Sequence, residues 1–134
     1  MSTTNVFAGS VRATFPTTAS AVASGSQLTA AQLVGGINVD GTAGGNVQLP
    51  TAASLGAYFF ARGGIEIGDS FDFTNITNNG AAASTITTAA GMTIVGSAAT
   101  AATVGTAARF VVRCSAVPTD AAGTGATFSV YRAS

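Results

Sequence analysis

Three acidic side chains, Glu66, Asp69 and Asp72, are clustered in the middle of the sequence. A pair of carboxylates is the minimum requirement for cleavage of a glycosidic bond. Asp69 and Asp72 are an odd number of residues apart, however, so an extended strand would direct them to opposite faces. Asp69 also follows Gly68, an arrangement typical of a turn. We therefore predict no acid–base pair here, and the absence of a D-x-D-x-D-G loop argues against a calcium site.

The composition lacks the residue types that most catalytic sites require. The chain has no His, and its five basic residues are all Arg. Without His there can be no Ser-His-Asp or Cys-His arrangement. Without Lys there can be no Schiff base, Ser-Lys dyad or P-loop. We predict that the protein is not an enzyme and that it has no catalytic residues, no cofactor, no metal and no small-molecule substrate.

Cys114 is the only cysteine and the remaining candidate nucleophile. A thiol becomes reactive when a neighbouring cation lowers its pKa. Cys114 falls in phase with Phe110 and Val112 in an alternating pattern, which predicts a buried core thiol instead. A single cysteine also excludes an internal disulfide framework and fits a protein made in a reducing cytoplasm.

Two arginines, Arg109 and Arg113, fall on the opposite face of the strand that carries Cys114. Either they are solvated, or they meet carboxylates such as Asp72 across strands or across a subunit boundary. We name both as candidate interface residues.

The elements that must position these residues are strands. Phe71 and Phe73 alternate with polar residues between Gly68 and Asn78, which is the period of a strand with one buried face. This stretch is predicted to be the central strand of the domain. A second strong strand is predicted from residue 106 to residue 115, and a last one around residues 128–131.

The region before the central strand is predicted to contain strands joined by a hairpin. Leu33-Val34 and residues 37–39 are predicted as strand segments. Residues 40–45 have the composition of a hairpin connection that returns through Val47 and Leu49.

One helix is predicted, at residues 51–62. Thr51 can cap it, and Leu55, Tyr58 and Phe59 fall on one face. Strands of four to ten residues separated by regular turn signals predict a single all-β domain, a β-sandwich or jelly roll with one short helix.

The N-terminal segment, residues 1–26, lies outside this domain, which we place at residues 27–134. It carries spaced aromatic residues, Phe7 and Phe15, and few features that would fold alone. It is predicted to be either an extended arm that lies on a neighbouring molecule or an edge strand of the domain. Phe7 and Phe15 are therefore further candidate interface residues.

The charge content is unusually low, at 7% of residues with a net charge of zero. An average soluble domain has about 25% charged residues. A neutral surface of this kind tends to self-associate. Either copies of the chain or a partner cover much of it, or its Thr and Ser residues make it polar enough to stay uncovered. The balanced charge argues against nucleic acid. The sequence shows no apolar run long enough for a membrane span and no features of a secretory signal, so neither is expected.

The chain resembles the small capsid decoration (cement) proteins of bacteriophages over about 100 residues, from Leu28 to the C-terminus. The run G-D-S-F at residues 68–71, followed by R-F-V-V-R at residues 109–113, is the most specific part of the resemblance. Its other matching segments are residues 28–33, 49–53, 91–96 and 130–131.

The resemblance implies a β-sandwich that assembles as a homotrimer on the outer surface of an icosahedral head, bound to the major capsid protein, and stabilises the head. The predicted location is therefore the virion. A tail- or fibre-associated module that binds a host-surface glycan is the alternative. Such a module is expected to expose aromatic platforms, and the chain offers only Tyr58 and Tyr131 besides phenylalanine.

Overall fold

The computed structural model of the chain describes residues 26–40, 46–78, 83–101 and 103–134, together with the backbone of three short strands nearer the N-terminus. The described part is mostly strand, with two short helices. In chain order the elements are β1 (Val6–Phe7), β2 (Ser10–Val11), β3 (Ser20–Val22), α1 (Ala30–Val34), β4 (Ile37–Asp40), β5 (Asn46–Gln48), α2 (Ala52–Phe60), β6 (Ser70–Thr77), β7 (Ser84–Thr87), β8 (Met92–Val95), β9 (Ala99–Thr100), β10 (Thr106–Ala116) and β11 (Thr127–Arg132).

The largest layer is a six-stranded sheet with the order β3-β4-β6-β10-β11-β8. The pairs β6–β10 and β10–β11 are antiparallel, whereas β3–β4, β4–β6 and β11–β8 are parallel. Strand β6 contains the Phe71/Phe73 pattern and lies in the interior of this sheet, as the alternation predicted.

One face of this sheet, called here the inner face, packs into the hydrophobic core. Phe73 of β6 stacks on Phe110 of β10, with ring centroids 5.1 Å apart. Val112 and Cys114 follow Phe110 on the same face and are fully buried, which confirms the predicted alternation of β10. Burial of each large apolar side chain contributes about 1.5–3 kcal/mol, so this central pair of strands makes a substantial contribution to the stability of the fold.

A second, three-stranded sheet has the order β5-β7-β9. Its strands β7 and β9 lie against β6 and β10 of the larger sheet. Val47 and Ile86 from the small sheet are buried in the common core. The structure is thus a β-rich fold with two mixed sheets.

Helix α2 confirms the predicted helix, with slightly narrower bounds. The side chain of Thr51 accepts a hydrogen bond from the backbone N–H of Ser54 at 3.1 Å, which caps the first turn. Leu55 is fully buried. The ring of Phe59 contacts the rings of Phe71 on β6 and Phe128 on β11, so the helix packs against the inner face of the large sheet.

The described part of the chain has two helices, α1 and α2, so the prediction of a single helix is wrong. The prediction of Leu33-Val34 as a strand segment is also wrong, because these two residues belong to α1. Thr29 and Gln32 form a capping box: the Thr29 side chain accepts from the Gln32 N–H, and the Gln32 side chain accepts from the Thr29 N–H. This reciprocal pair starts a helical turn. Leu33 then packs into the core as a helical residue with no exposed surface.

The predicted hairpin between residues 40 and 45 is also wrong. Strand β4 pairs with β3 and β6 in the large sheet, whereas β5 pairs with β7 in the small one. Turn-forming residues indicate that the chain changes direction, but they do not specify which sheet the next strand joins. Residues 41–45 themselves lie outside the described part of the chain.

The loop between β10 and β11 lies closely against α2. A side chain at Gly56 would come within 2.6 Å of the Ala126 Cβ, and one at Gly123 would overlap the carbonyl oxygen of Ala53. Gly123 also has φ of +80°, a conformation that favours glycine. The helix and this loop can approach so closely only because both positions lack a Cβ.

The backbone of the N-terminal segment contributes to two sheets. Strand β3 pairs in parallel with β4 at the edge of the six-stranded sheet, and β1 pairs with β2. The side chains of this segment lie outside the described residues. The division into residues 1–26 and 27–134 stays a prediction.

Candidate interaction surface

The six-stranded sheet has a second face, called here the open face, which no described element covers. Strand alternation places Asp72, Arg109, Val111, Arg113 and Tyr131 on this side, opposite the core residues. Most of these side chains are exposed or half-buried. The fold therefore places both predicted interface arginines on one continuous surface.

An apolar row crosses the middle of the open face. Val111 pairs with Tyr131, and Tyr131 pairs with Val95 on the edge strand β8. Tyr131 is 38% exposed and Val95 is 48% exposed. One further apolar side chain, that of Ile37 on β4, lies near the opposite edge and is 47% exposed. Apolar side chains aligned in register across several strands form a contiguous surface, which is the kind of feature that marks an interaction site.

The charges on this face are partly neutralised within the chain. Arg109 Nε donates to Asp72 Oδ2 at 2.7 Å, and the two side chains are 56% and 54% exposed. This contact is one of the two outcomes predicted for Arg109, a carboxylate met across neighbouring strands. An exposed pair of this kind stabilises by about 0.2–1 kcal/mol, so its main effect is to remove net charge from the open face.

Arg113 is placed differently from Arg109. Among the described residues it forms no ion pair, and its guanidinium lies beside the backbone of Gly68 at the start of the central strand. Its positive charge remains available on the open face, four residues along β10 from Arg109 of the neutralised pair.

The remaining acidic cluster has the local structure predicted from its spacing. Asp69 Oδ2 accepts a hydrogen bond from the Glu66 backbone N–H at 2.9 Å, which fixes the turn that precedes β6. Asp72 lies on the open face and pairs with Arg109. The sequence predicted the turn role of Asp69 and the solvent-facing role of Asp72 correctly.

Cys114 is fully buried on the inner face, as its phase with Phe110 predicted. Its Sγ donates to the backbone carbonyl of Ala116 at 3.4 Å. Burial raises the pKa of the thiol above its ordinary value, and the nearby negative charge of Asp69 adds to this effect. Both influences favour the protonated, unreactive form.

The two tyrosines have different environments. The guanidinium of Arg62 stacks 3.6 Å above the ring centroid of Tyr58, and Arg62 Nη1 donates to the Tyr58 carbonyl at 3.0 Å. One face of the Tyr58 ring is therefore occupied. Tyr131 is the tyrosine whose ring belongs to the open face.

The other two predicted interface residues cannot be placed on a surface. The backbone of Phe7 belongs to β1, but its side chain lies outside the described residues, as does the whole of Phe15. Their interface role stays a prediction.

The sequence reasoning missed a group of buried polar residues, called here the polar cluster. It lies between the inner face of the large sheet and the small sheet, and it consists of Asn38, Asp40, Asn75, Thr77, Ser84 and Thr100. The signal was present in β6, because Asn75 and Thr77 continue the phase of Phe71 and Phe73 and had to share their buried face.

A shallow groove of about 430 Å³ lies between the end of β7 and β8. It is lined by Ile86, Met92, Ile94 and three threonines.

Within the described residues, no group of three or more His, Cys, Asp or Glu side chains is arranged to hold a metal ion. No helix in that same part of the chain is long and apolar enough to cross a membrane.

Comparisons of the chain with protein-family models, with curated proteins and with solved structures found no match.

Proposed function

We propose that this chain is a structural virion protein, a decoration (cement) protein that binds the outer surface of a bacteriophage capsid as a homotrimer and stabilises the head. Its partners are other copies of itself and the major capsid protein. It is made in the host cytoplasm and has no catalytic role. The observation that carries this proposal is the open face, where the apolar row of Val111, Tyr131 and Val95 lies beside the neutralised Arg109–Asp72 pair.

The dimensions of the open face suit a protein–protein contact. Five inter-strand spacings of about 4.8 Å make the sheet about 24 Å wide, and its longer strands extend for roughly 25–35 Å. The resulting area is of the same order as the roughly 800 Å² that each partner contributes to a standard interface. The low overall charge supports the same role, because burial of a neutral surface has little desolvation cost.

We further propose that the two mixed sheets form a β-sandwich of the kind implied by the resemblance to decoration proteins. The contacts of β7 and β9 with β6 and β10 support this, as does the core that the two sheets share. In this arrangement one layer of the sandwich leaves its outer face available to partners.

The homotrimer is tested with a matched pair of valine substitutions. Val95→Asp places a charge in the apolar row, whereas Val104→Asp places the same charge at an exposed valine (57% exposed) outside the open face. We expect light scattering to give about three times the single-chain mass of 13.0 kDa for the unchanged protein and for Val104→Asp. Val95→Asp should dissociate. A single-chain mass for the unchanged protein contradicts the proposal.

The location in the virion is tested by imaging particles with and without the protein. We expect density on the outside of the head that disappears when the protein is omitted and returns when purified protein is added. Density restricted to the tail or its fibres, together with binding of the purified protein to a host-surface glycan, would instead support the alternative predicted from the sequence.

A further inference from the structure

The polar cluster begins as a square of four side chains on the inner face. In the parallel pair β4–β6, Asn38 lies in register with Asn75, and Asp40 lies in register with Thr77. Each of the four is at most 2% exposed. Strand geometry places the Cα atoms of these four residues about 4.8 Å apart across the strands and about 6.6 Å apart along them.

The small sheet forms the opposite wall of this site. Asn75 Nδ2 donates to Ser84 Oγ at 2.9 Å and to Thr100 Oγ1 at 3.3 Å. These two hydroxyls belong to β7 and β9, so the square is enclosed between the two sheets.

Several polar atoms of the square have no hydrogen-bond partner. They are both amide atoms of Asn38, Oδ1 of Asn75 and Oγ1 of Thr77. Buried polar side chains are nearly always hydrogen-bonded or bound to an ion. Three adjacent side chains with unpartnered oxygens therefore indicate a ligand between the sheets.

We propose that the polar cluster binds a hard cation through the side-chain oxygens of Asn38, Asp40, Asn75 and Thr77. Carboxylate, amide and hydroxyl oxygens are the ligands that calcium prefers, and calcium accepts irregular sets of such ligands. The centre of the square lies about 4 Å from each corner, within reach of these short side chains. This proposal differs from the sequence prediction of no metal, which rested on the absence of His and of a D-x-D-x-D-G loop and did not consider buried amide and hydroxyl oxygens.

Calcium is the first cation to test. A ligand set with a single carboxylate neutralises only part of the charge of a calcium ion, so we expect a dissociation constant in the millimolar range. In about 5 mM CaCl₂, relative to chelator, we expect the melting temperature to rise by about 4 °C. Equilibrium dialysis should give one calcium ion per chain. Parallel titrations with MgCl₂, NaCl and KCl identify the preferred cation.

Substitutions locate the site. Thr77→Val is nearly isosteric, and Asp40→Asn keeps the shape of the side chain; both should abolish the cation-dependent rise in melting temperature. The control is Asp72→Asn, which removes an exposed carboxylate from the open face and should keep the full rise. If Asp40→Asn fails to fold, Thr77→Val and the dialysis stoichiometry decide the question.

Two results would overturn the proposal. One is a melting temperature that does not depend on any of the four cations, with no stoichiometric binding in dialysis, since the square would then hold ordered water. The other is a cation-dependent rise that survives in Thr77→Val and Asp40→Asn, since the cation would then bind elsewhere.

Discussion

At the scale of single residues, the Arg109–Asp72 pair is the contact most open to measurement. A double-mutant cycle with Arg109→Met and Asp72→Asn should give a coupling energy of about 0.2–1 kcal/mol, because both side chains are more than half exposed. The coupling should decrease in high salt. The control cycle replaces Arg113 instead of Arg109, and its coupling to Asp72 should be smaller. Equal couplings in the two cycles would contradict the pairing, and urea denaturation provides the measurement.

The buried thiol of Cys114 should make the stability depend on pH in alkaline solution. The pKa of the Cys114 thiol is raised above its ordinary value in the folded protein, chiefly by burial and also by the negative charge of Asp69. The folded state thus holds this proton more tightly than the unfolded state does. The resulting stability is complete below the ordinary pKa of a thiol and is lost as the pH rises through the raised pKa of the folded state.

The measurement compares the free energy of unfolding of the unchanged protein and of Cys114→Ala between about pH 8 and pH 10. The variant should be less stable overall because the substitution leaves a cavity. Its stability should also fall less steeply with pH. Parallel pH profiles would show that the thiol does not contribute.

At the scale of elements, the contact between α2 and the β10–β11 loop depends on one glycine. Gly123→Ala would force a methyl group against the Ala53 carbonyl at a positive φ, and it should destabilise the protein by about 3 kcal/mol or more. Gly125→Ala is the matched control, because Gly125 has the same φ of +80° but its nearest neighbour, Thr119 Cγ2, would lie 3.8 Å away.

Only the cost of the backbone conformation, about 1–2 kcal/mol, is expected for Gly125→Ala. Thermal or urea denaturation of the two variants separates the steric term from the conformational one. Equal losses of stability would mean that the loop relaxes away from the helix.

The elements that sequence reasoning predicted best are those with long, regular alternation. Strand β10 has eleven residues, and its burial alternates almost without interruption, so its faces could be read directly. Helix α1 has only five residues and was missed. Its capping box at Thr29 and Gln32 was present in the sequence, but the nearby Leu33, Val34 and Ile37 are equally typical of strands.

The candidate surface was predictable only in part. Arg109 and Arg113 could be placed on one face because they belong to the same strand. Tyr131 and Val95 join them through the pairing of β10 with β11 and of β11 with β8. Such non-local pairing and its register are not encoded in local periodicity.

At the scale of the whole molecule, truncation tests the role of the N-terminal segment. Deletion of residues 2–19 leaves β3 in place, whereas deletion of residues 2–25 also removes β3 from the edge of the sheet. If the segment is an arm, the shorter deletion should leave a folded trimer that no longer stays on heads. The longer deletion should in addition lower the melting temperature, because β4 loses one of its two neighbouring strands.

Both melting and head binding are measured for the two truncations. If the shorter deletion gives an insoluble product, the hypothesis that the segment is an arm is contradicted, and residues 2–19 belong instead to the folded domain. Full head binding after the shorter deletion would contradict the arm as well.

The position of Val95 has a consequence for the way in which copies can assemble. Val95 lies on the open face and also on β8, an edge strand of its sheet. A contact that joins this edge of one copy to a different surface of the next is heterologous, and it can repeat without limit unless the rotation between copies closes a ring. In a ring of three every such edge is occupied. If copies join through this edge, the angle at which β8 meets its neighbour decides between a closed particle and an open-ended filament.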